Sequence, residues 1–231
     1  MERYKAKLAV AYLRGVAVEQ PDLLPEALVQ KPLEQLTPPE IETIVLAGEA
    51  ADLRMYHFKQ KEYLPRVRAV LGFLRNIQPE SLLDVGTGRG AFLFPFLEEF
   101  PSVPVTSLDL LPHRVQMLQR MAAGGFDTLT ALEADLCRWD GGQRRYDVVT
   151  LLEVLEHIPD VAAAIQNAVR LARRYVVVSV PSKPDNNPEH IHLLTRDVLR
   201  ELFTQAGCNR LHFSGVNGHL LLTATIEEKF S

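Results

Sequence analysis

The chain is 231 residues long, 47% hydrophobic and 23% charged, with a formal net charge of −4. That balance suits one large folded domain with a small appendage, gives no whole-molecule attraction to nucleic acid or anionic membrane, and leaves no apolar run near the ~18 residues of a membrane helix. The opening stretch runs into Arg14 and the acidic Glu19–Asp22 rather than reading as a signal peptide, and two distant cysteines, Cys137 and Cys208, point to a reducing cytoplasm.

The first 76 residues read as helical. Leu8, Tyr12 and Val16 recur at helical spacing, and Thr37-Pro38-Pro39-Glu40 has the residue order of a capping box. A further helix is expected from Pro65, with Val67, Val70, Leu71 and Leu74 on one face. Residues 18–53 hold eight acids and one base, Lys31, whereas residues 54–75 hold Arg54, Lys59, Lys61, Arg66, Arg68 and Arg75 against Glu62. Interleaved with Tyr56, Phe58, Tyr63 and Phe73, this basic strip could receive an anionic acceptor or a nucleic-acid end; its alternative is a pair of solvated helix faces.

From Ser81 short apolar runs alternate with amphipathic helical stretches, the pattern of successive βαβ units and a parallel sheet. Strands are expected at Leu82–Val85, Val103–Leu108, Thr128–Leu132, Asp147–Leu152, Tyr175–Val180, Arg210–Phe213 and His219–Ile226, with helices starting near Arg89, Pro112, Val161 and Thr195. Thr195 caps the last of these, Leu199, Leu202, Phe203 and Ala206 form its buried stripe, and Gly207 ends it. Only the short Ser214–Gly218 turn joins the final two strands, so they should pair antiparallel in an otherwise parallel sheet.

The sharpest local signal is Asp84-Val85-Gly86-Thr87-Gly88-Arg89-Gly90, a strand running into a turn with glycine at every second position. Alone, such a loop could approach a ligand closely, serve a nicotinamide dinucleotide, or be a turn with no ligand. Ligands on open α/β sheets bind outside the carboxyl ends of the strands. There the second strand delivers Asp109-Leu110, where an acid can accept the hydroxyls of a ribose. The third delivers Asp135-Leu136, where an acid can accept from an adenine amino group beside apolar neighbours, and the fourth delivers Leu152-Glu153. Each acid alone is more often a cap or a turn residue. Their succession on consecutive strands is hard to explain that way.

With Asp84 through Gly90, Asp109, Asp135 and Glu153-Val154-Leu155-Glu156-His157, the chain over residues 65–231 resembles the class I methyltransferases. The resemblance implies a doubly wound, Rossmann-like α/β fold with a seven-stranded mixed sheet and an antiparallel last strand. It further implies an N-terminal helical lid over residues 1–76 that shapes the acceptor pocket, a methyltransferase domain over 77–231, and S-adenosylmethionine as methyl donor. Gly86 and Gly88 would meet the methionine part of the cofactor, Asp109 its ribose and Asp135 its adenine. The full expected cofactor set is Asp84, Gly86, Thr87, Gly88, Gly90, Asp109, Leu110, Asp135, Leu136 and Leu152.

Two segments emerge on the acceptor side: Glu153 through Asp160 after the fourth strand, and Pro181 through His192 after the fifth. They supply Glu153, His157 and His192 as candidate acid–base groups. In one reading Glu153, Glu156, His157 and His190 hold a divalent metal that acidifies an acceptor hydroxyl. That set is similar to the one in methyltransferases of the 3′-terminal 2′-hydroxyl of small RNAs, and to that of quinone-pathway O-methyltransferases. The aromatic and charged run expected between histidine and threonine in the RNA enzymes is replaced here by Ile191-His192-Leu193-Leu194. In the other reading, Glu156-His157 opens a helix without metal. The expectation is therefore an enzyme that methylates oxygen or nitrogen on a small molecule, with RNA and a non-catalytic cofactor-binding regulator as alternatives. Nothing in the sequence fixes an oligomeric state, and no membrane partner is expected.

Overall fold

The structure, a computed structural model, describes residues 4–184 and 186–227. In chain order its elements are α1 (Ala6–Glu19), α2 (Glu26–Gln30), α3 (Pro38–Ala50), α4 (Pro65–Ile77), β1 (Leu82–Val85), α5 (Leu93–Glu99), β2 (Val105–Asp109), α6 (Pro112–Ala123), β3 (Leu129–Glu133), β4 (Tyr146–Leu152), α7 (Val161–Leu171), β5 (Ala172–Pro181), α8 (Arg196–Gln205), β6 (Arg210–Val216) and β7 (His219–Thr225). The chain divides into two compact units. One holds the chain up to Glu62 together with Leu111–Ala131, and the other holds Tyr63–Leu110 and everything from Leu132 onward.

In the first unit every residue of α1 from Leu8 to Ala17 is buried, Arg14 included, whose guanidinium donates to the Val29 carbonyl. Gly15 of α1 lies so close to α6 that a Cβ there would fall 1.8 Å from the Arg120 carbonyl oxygen, so the two helix backbones touch. The capping box read from Thr37 forms, with Glu40 Oε2 accepting from Thr37 N at 2.7 Å and from Thr37 Oγ1 at 2.8 Å.

The sheet order is β3-β2-β1-β4-β5-β7-β6, so the chain reverses its direction of winding between β1 and β4. β1 pairs in parallel with β2 and β4, and β4 with β5, while β7 runs antiparallel between β5 and β6. β1 and β2 are buried along their whole length and β4 along all but its last residue, which is why they read as continuous apolar runs rather than alternations. Asn217 and Gly218 both take positive φ, 41° and 85°, the signature of the two-residue hairpin turn between β6 and β7. The seven-stranded mixed sheet expected from the sequence is therefore present, with the antiparallel strand inside the sheet rather than at its edge. Thr195 caps α8 by accepting from Val198 N, as its position foretells. The helix expected near Arg89 begins four residues later, at Leu93, because Gly88 and Gly90 turn the backbone to positive φ before a helix can start.

Candidate functional site

β1 ends in a buried polar network. The Asp84 carboxylate, 3% exposed, accepts from Thr87 Oγ1 at Oδ2 (2.7 Å) and from Thr150 Oγ1 at Oδ1 (2.8 Å); Thr87 Oγ1 in turn lies 2.6 Å from Ser107 Oγ. Three strands thus converge on one carboxylate. Burial pushes the Asp84 carboxyl up to about 6; the two hydroxyl hydrogen bonds pull it down and the neighbouring charge of Asp109 adds to the rise. At Gly86, with φ of 64°, a Cβ would fall 2.6 Å from the Val154 side chain, so no other residue fits without displacement. A cleft opens here, lined by Arg66, Val67, Asp84, Gly86, Thr87, Ala91, Phe92 and Leu152.

The loop and the next strand end are joined directly. Gly88 N donates to Asp109 Oδ2 at 3.0 Å, and Ala134 N donates to the Asp109 carbonyl at 3.2 Å, which brings the start of the Asp135 turn to the same place. The Asp135 side chain accepts from Cys137 N at 2.9 Å, closing its own turn. Leu110 is 62% exposed, while Leu136 is buried in the core between sheet and helices.

Past β4 the backbone is strained: Glu153 has φ of 60°, the left-handed region that a branched or long side chain rarely occupies. Its carboxylate accepts from Ser179 Oγ at 2.7 Å through Oε1, and Oε2 lies 3.0 Å from His219 Nε2. Arg66 Nε stands 3.8 Å from Oε1. Glu156 and His157 follow in a 3₁₀ turn, Leu155–His157, and α7 opens only at Val161 under a cap from Asp160. They therefore do not begin the helix, and Glu156 is fully buried. Glu156, His157 and His190 form a cluster whose ligand atoms all lie within 4.8 Å of one another. His157 Nδ1 is 2.9 Å from the Glu189 carbonyl oxygen, which can only accept, so Nδ1–H donates and in the neutral tautomer the lone pair falls on Nε2. The loop after β5 is tied to this turn by Ile191 N donating to the Glu156 carbonyl, and His192 Nε2 lies 3.1 Å from the Ile158 carbonyl oxygen. Asp185 of that loop lies outside the described residues.

The three basic residues of α4 have separate surroundings. Arg66 turns to Glu153, Arg68 donates to the Tyr63 carbonyl, and Arg75 pairs with Glu99. Of the groups around Glu153, sequence reasoning missed Ser179 and His219 and assigned Arg66 to a basic surface strip. Period-2 alternation shows which residues share a face of a strand. It does not show that β7 pairs with β5 in a register that brings His219 to Pro181.

Residues 55–212 match the family model described as a methyltransferase domain. The chain is 29% identical over 109 residues to the ubiquinone biosynthesis O-methyltransferase of Serratia proteamaculans, covering 47% of this chain and 44% of that protein. It is 36% identical over 61 residues to the malonyl-[acyl-carrier protein] O-methyltransferase of Geobacter sulfurreducens, covering 26% and 22%. The chain thus spans less than half the length of the curated relatives it matches. In fold it is similar to CalS10, an amino pentose methyltransferase of Micromonospora echinaspora solved with bound S-adenosylmethionine, with a TM-score of 0.56, 20% identity and coverage of 72% of this chain and 92% of that one. The chain belongs to the methyltransferase-domain family, and its seven-stranded mixed sheet is the fold it shares with that solved methyltransferase.

Proposed function

We propose that this chain methylates an oxygen atom of a small molecule. The observation that carries the reading is the junction of the glycine loop with Asp109 beside a cleft that Asp84, Gly86, Arg66 and Leu152 line. This donor set fits the cofactor: unsubstituted backbone at Gly86 and Gly88, a carboxylate at the end of β2 for ribose hydroxyls, and a guanidinium for a carboxylate. S-Adenosylmethionine, when bound, supplies an electrophilic methyl group on a sulfonium. The chain's part is to bind and orient. Asp109 accepts the ribose hydroxyls, Asp135 and exposed Leu110 frame the adenine, Arg66 meets the methionine carboxylate, and Leu152 packs against the cleft. Thr87 and Gly90 shape the loop, and buried Leu136 contributes through its backbone.

On the acceptor side, His157 offers Nε2 as the base that takes the proton from an acceptor hydroxyl, with Glu189 orienting the ring from behind. His192 and Glu153 are engaged by protein partners and serve to hold the pocket. Two relatives named for O-methylation support oxygen over nitrogen. A second reading has a specific observation behind it: Glu156, His157 and His190 gather donor types that suit a divalent ion beside the acceptor oxygen. The Glu153 carboxylate, held by Ser179 and His219, is the least available of the four ligands first expected.

The test is a product-release assay for S-adenosylhomocysteine across phenols, catechols, carboxylic acids, amines and single-stranded RNA 3′ ends, with and without chelator. Turnover of a small hydroxylic or carboxylic acceptor is expected. Turnover confined to amines or to RNA contradicts the proposal, and inhibition by chelator, reversed by one divalent metal, selects the second reading.

A further inference from the structure

His219 opens β7 immediately after the Asn217-Gly218 turn, far in sequence from the residues that line the cleft. The turn is anchored: the Gly218 carbonyl accepts from Ser182 N at 2.9 Å and from Ser182 Oγ at 2.8 Å, and His219 Nδ1 lies 3.1 Å from the Asn217 carbonyl oxygen. Both ring nitrogens thus face oxygen acceptors, the Asn217 carbonyl and Glu153 Oε2, and only the doubly protonated ring donates to both. On the other side, Ser179 Oγ donates to Oε1, and the backbone N–H of Glu153 donates to the Ser179 carbonyl at 2.9 Å. A hydroxyl from β5 and, in the doubly protonated ring, an imidazolium N–H from β7 therefore already meet the two oxygens of Glu153. Arg66, the only guanidinium among the cleft-lining residues, stands 3.8 Å away, at the outer limit of an ion pair and beyond hydrogen-bond length. Its NH1 lies 3.5 Å from His219 Nε2. The side chains of Arg66, Glu153 and His219 are only 20–24% exposed, so their mutual attraction is less screened than at an open surface.

We propose that His219 is a positioning residue of the cofactor site: with Ser179 it occupies the Glu153 carboxylate and so keeps Arg66 from being captured there, leaving the guanidinium to meet an anionic group in the cleft. Glu153 and a carboxylate ligand compete for one cation, and His219 sets that competition. The left-handed backbone at Glu153 fits this view, since strain of this kind persists only where surrounding contacts over-determine it. Removal of the imidazole opens Oε2 to Arg66. The guanidinium can then close into a two-pronged pair with Glu153, the geometry it prefers, and is withdrawn from the cleft. The inference rests on the reading that the cleft takes a carboxylate-bearing cofactor.

The experiment is calorimetric titration of S-adenosylhomocysteine into the wild type and into His219→Ala, His219→Gln, Glu153→Gln with His219→Ala, and Arg66→Ala with and without His219→Ala. Loss of the screening partner should weaken binding roughly fivefold in His219→Ala, the size expected of one partly shielded ion pair. Glutamine keeps an N–H donor and should hold most of the affinity. Neutralising Glu153 in the His219→Ala background should restore it, a recovery that a merely misfolded hairpin would not show. In the Arg66→Ala background the His219 substitution should add nothing. Equal affinity of wild type and His219→Ala, failure of Glu153→Gln to rescue, or an additive loss in the double variant each overturns the proposal while leaving cofactor binding intact. No binding by the wild type sinks the parent reading as well, and is thereby distinguished.

Discussion

The proposed cofactor edge and the proposed acceptor edge are built from the same strand ends by different means. At the first, the Asp84 carboxylate is sunk among Thr87, Ser107 and Thr150, whose hydroxyls come from β1's own turn, β2 and β4. At the second, polar side chains lie in a 3₁₀ turn and an irregular loop, and their partners are mostly backbone carbonyls: Glu189 for His157 and Ile158 for His192. One region is fixed by side chains locked inside a sheet, the other by loop backbone that a changed sequence could easily redirect. In the proposed reading, the donor would sit against the first kind of frame and the acceptor against the second.

That contrast breaks most severely at Gly86. Gly86→Ala meets Val154 and takes an unfavourable φ, and we expect a loss of about 1–3 kcal/mol in stability with S-adenosylhomocysteine binding reduced below detection by calorimetry. An alanine variant that binds normally would show that the loop does not approach a ligand.

Asp84 gives a pH signature on the cofactor side. Its carboxyl is raised to about 6 by burial, so the folded state holds a proton that the unfolded chain releases near 3.8. Its contribution to stability is therefore fullest below about pH 4 and is lost as pH rises through 6, on the order of 3 kcal/mol in all. Denaturant midpoints of the wild type and Asp84→Asn should diverge over that window, the asparagine variant gaining with rising pH; parallel curves would contradict it. A cation in the cleft favours the ionised carboxylate, so affinity for S-adenosylmethionine should rise between pH 5 and 7 more than affinity for its uncharged thioether product.

On the acceptor side the expected effects spare the cofactor. His157→Ala should lower turnover by about 10²-fold or more with the accepted small molecule, and His190→Ala should do so only if a metal is held there, while S-adenosylhomocysteine affinity stays within about twofold in both. A parallel fall in both would mean that the two regions are one site. The smallest effect is expected at the start of α8. Thr195→Ala removes the cap of α8 and should cost about 1 kcal/mol in thermal or denaturant unfolding with no change in cofactor affinity.

The legibility of the sequence follows the same division. The strands of the sheet and the antiparallel hairpin were readable because parallel strands leave apolar runs and a short connection forces its strands to pair antiparallel; the reversal of winding came only with the family resemblance. The meeting of the glycine loop with Asp109 followed from their places at neighbouring strand ends, while their role toward a cofactor remains a proposal. The arrangement around Glu153 was not, since it depends on the register of β7 against β5 and on a left-handed residue that any side chain could have disguised. The structural role of Glu156-His157 was likewise hidden. A 3₁₀ turn and a helix start share the same residues, and Asp160 as the true cap decides between them only once the backbone is placed. In the N-terminal stretch Leu8, Tyr12 and Val16 marked the helix α1, but its Gly15 contact with α6 arises from a partner a hundred residues on.

The central claim is that the glycine loop and Asp109 together form the cofactor site, and calorimetry of S-adenosylhomocysteine with Asp109→Ala tests it most directly. The wild type should bind one equivalent, and the variant, with an unchanged circular dichroism spectrum, should bind about 10- to 100-fold more weakly, the loss of hydrogen bonds to a charged group. Undiminished binding by the variant, or no binding by the wild type, would contradict the account.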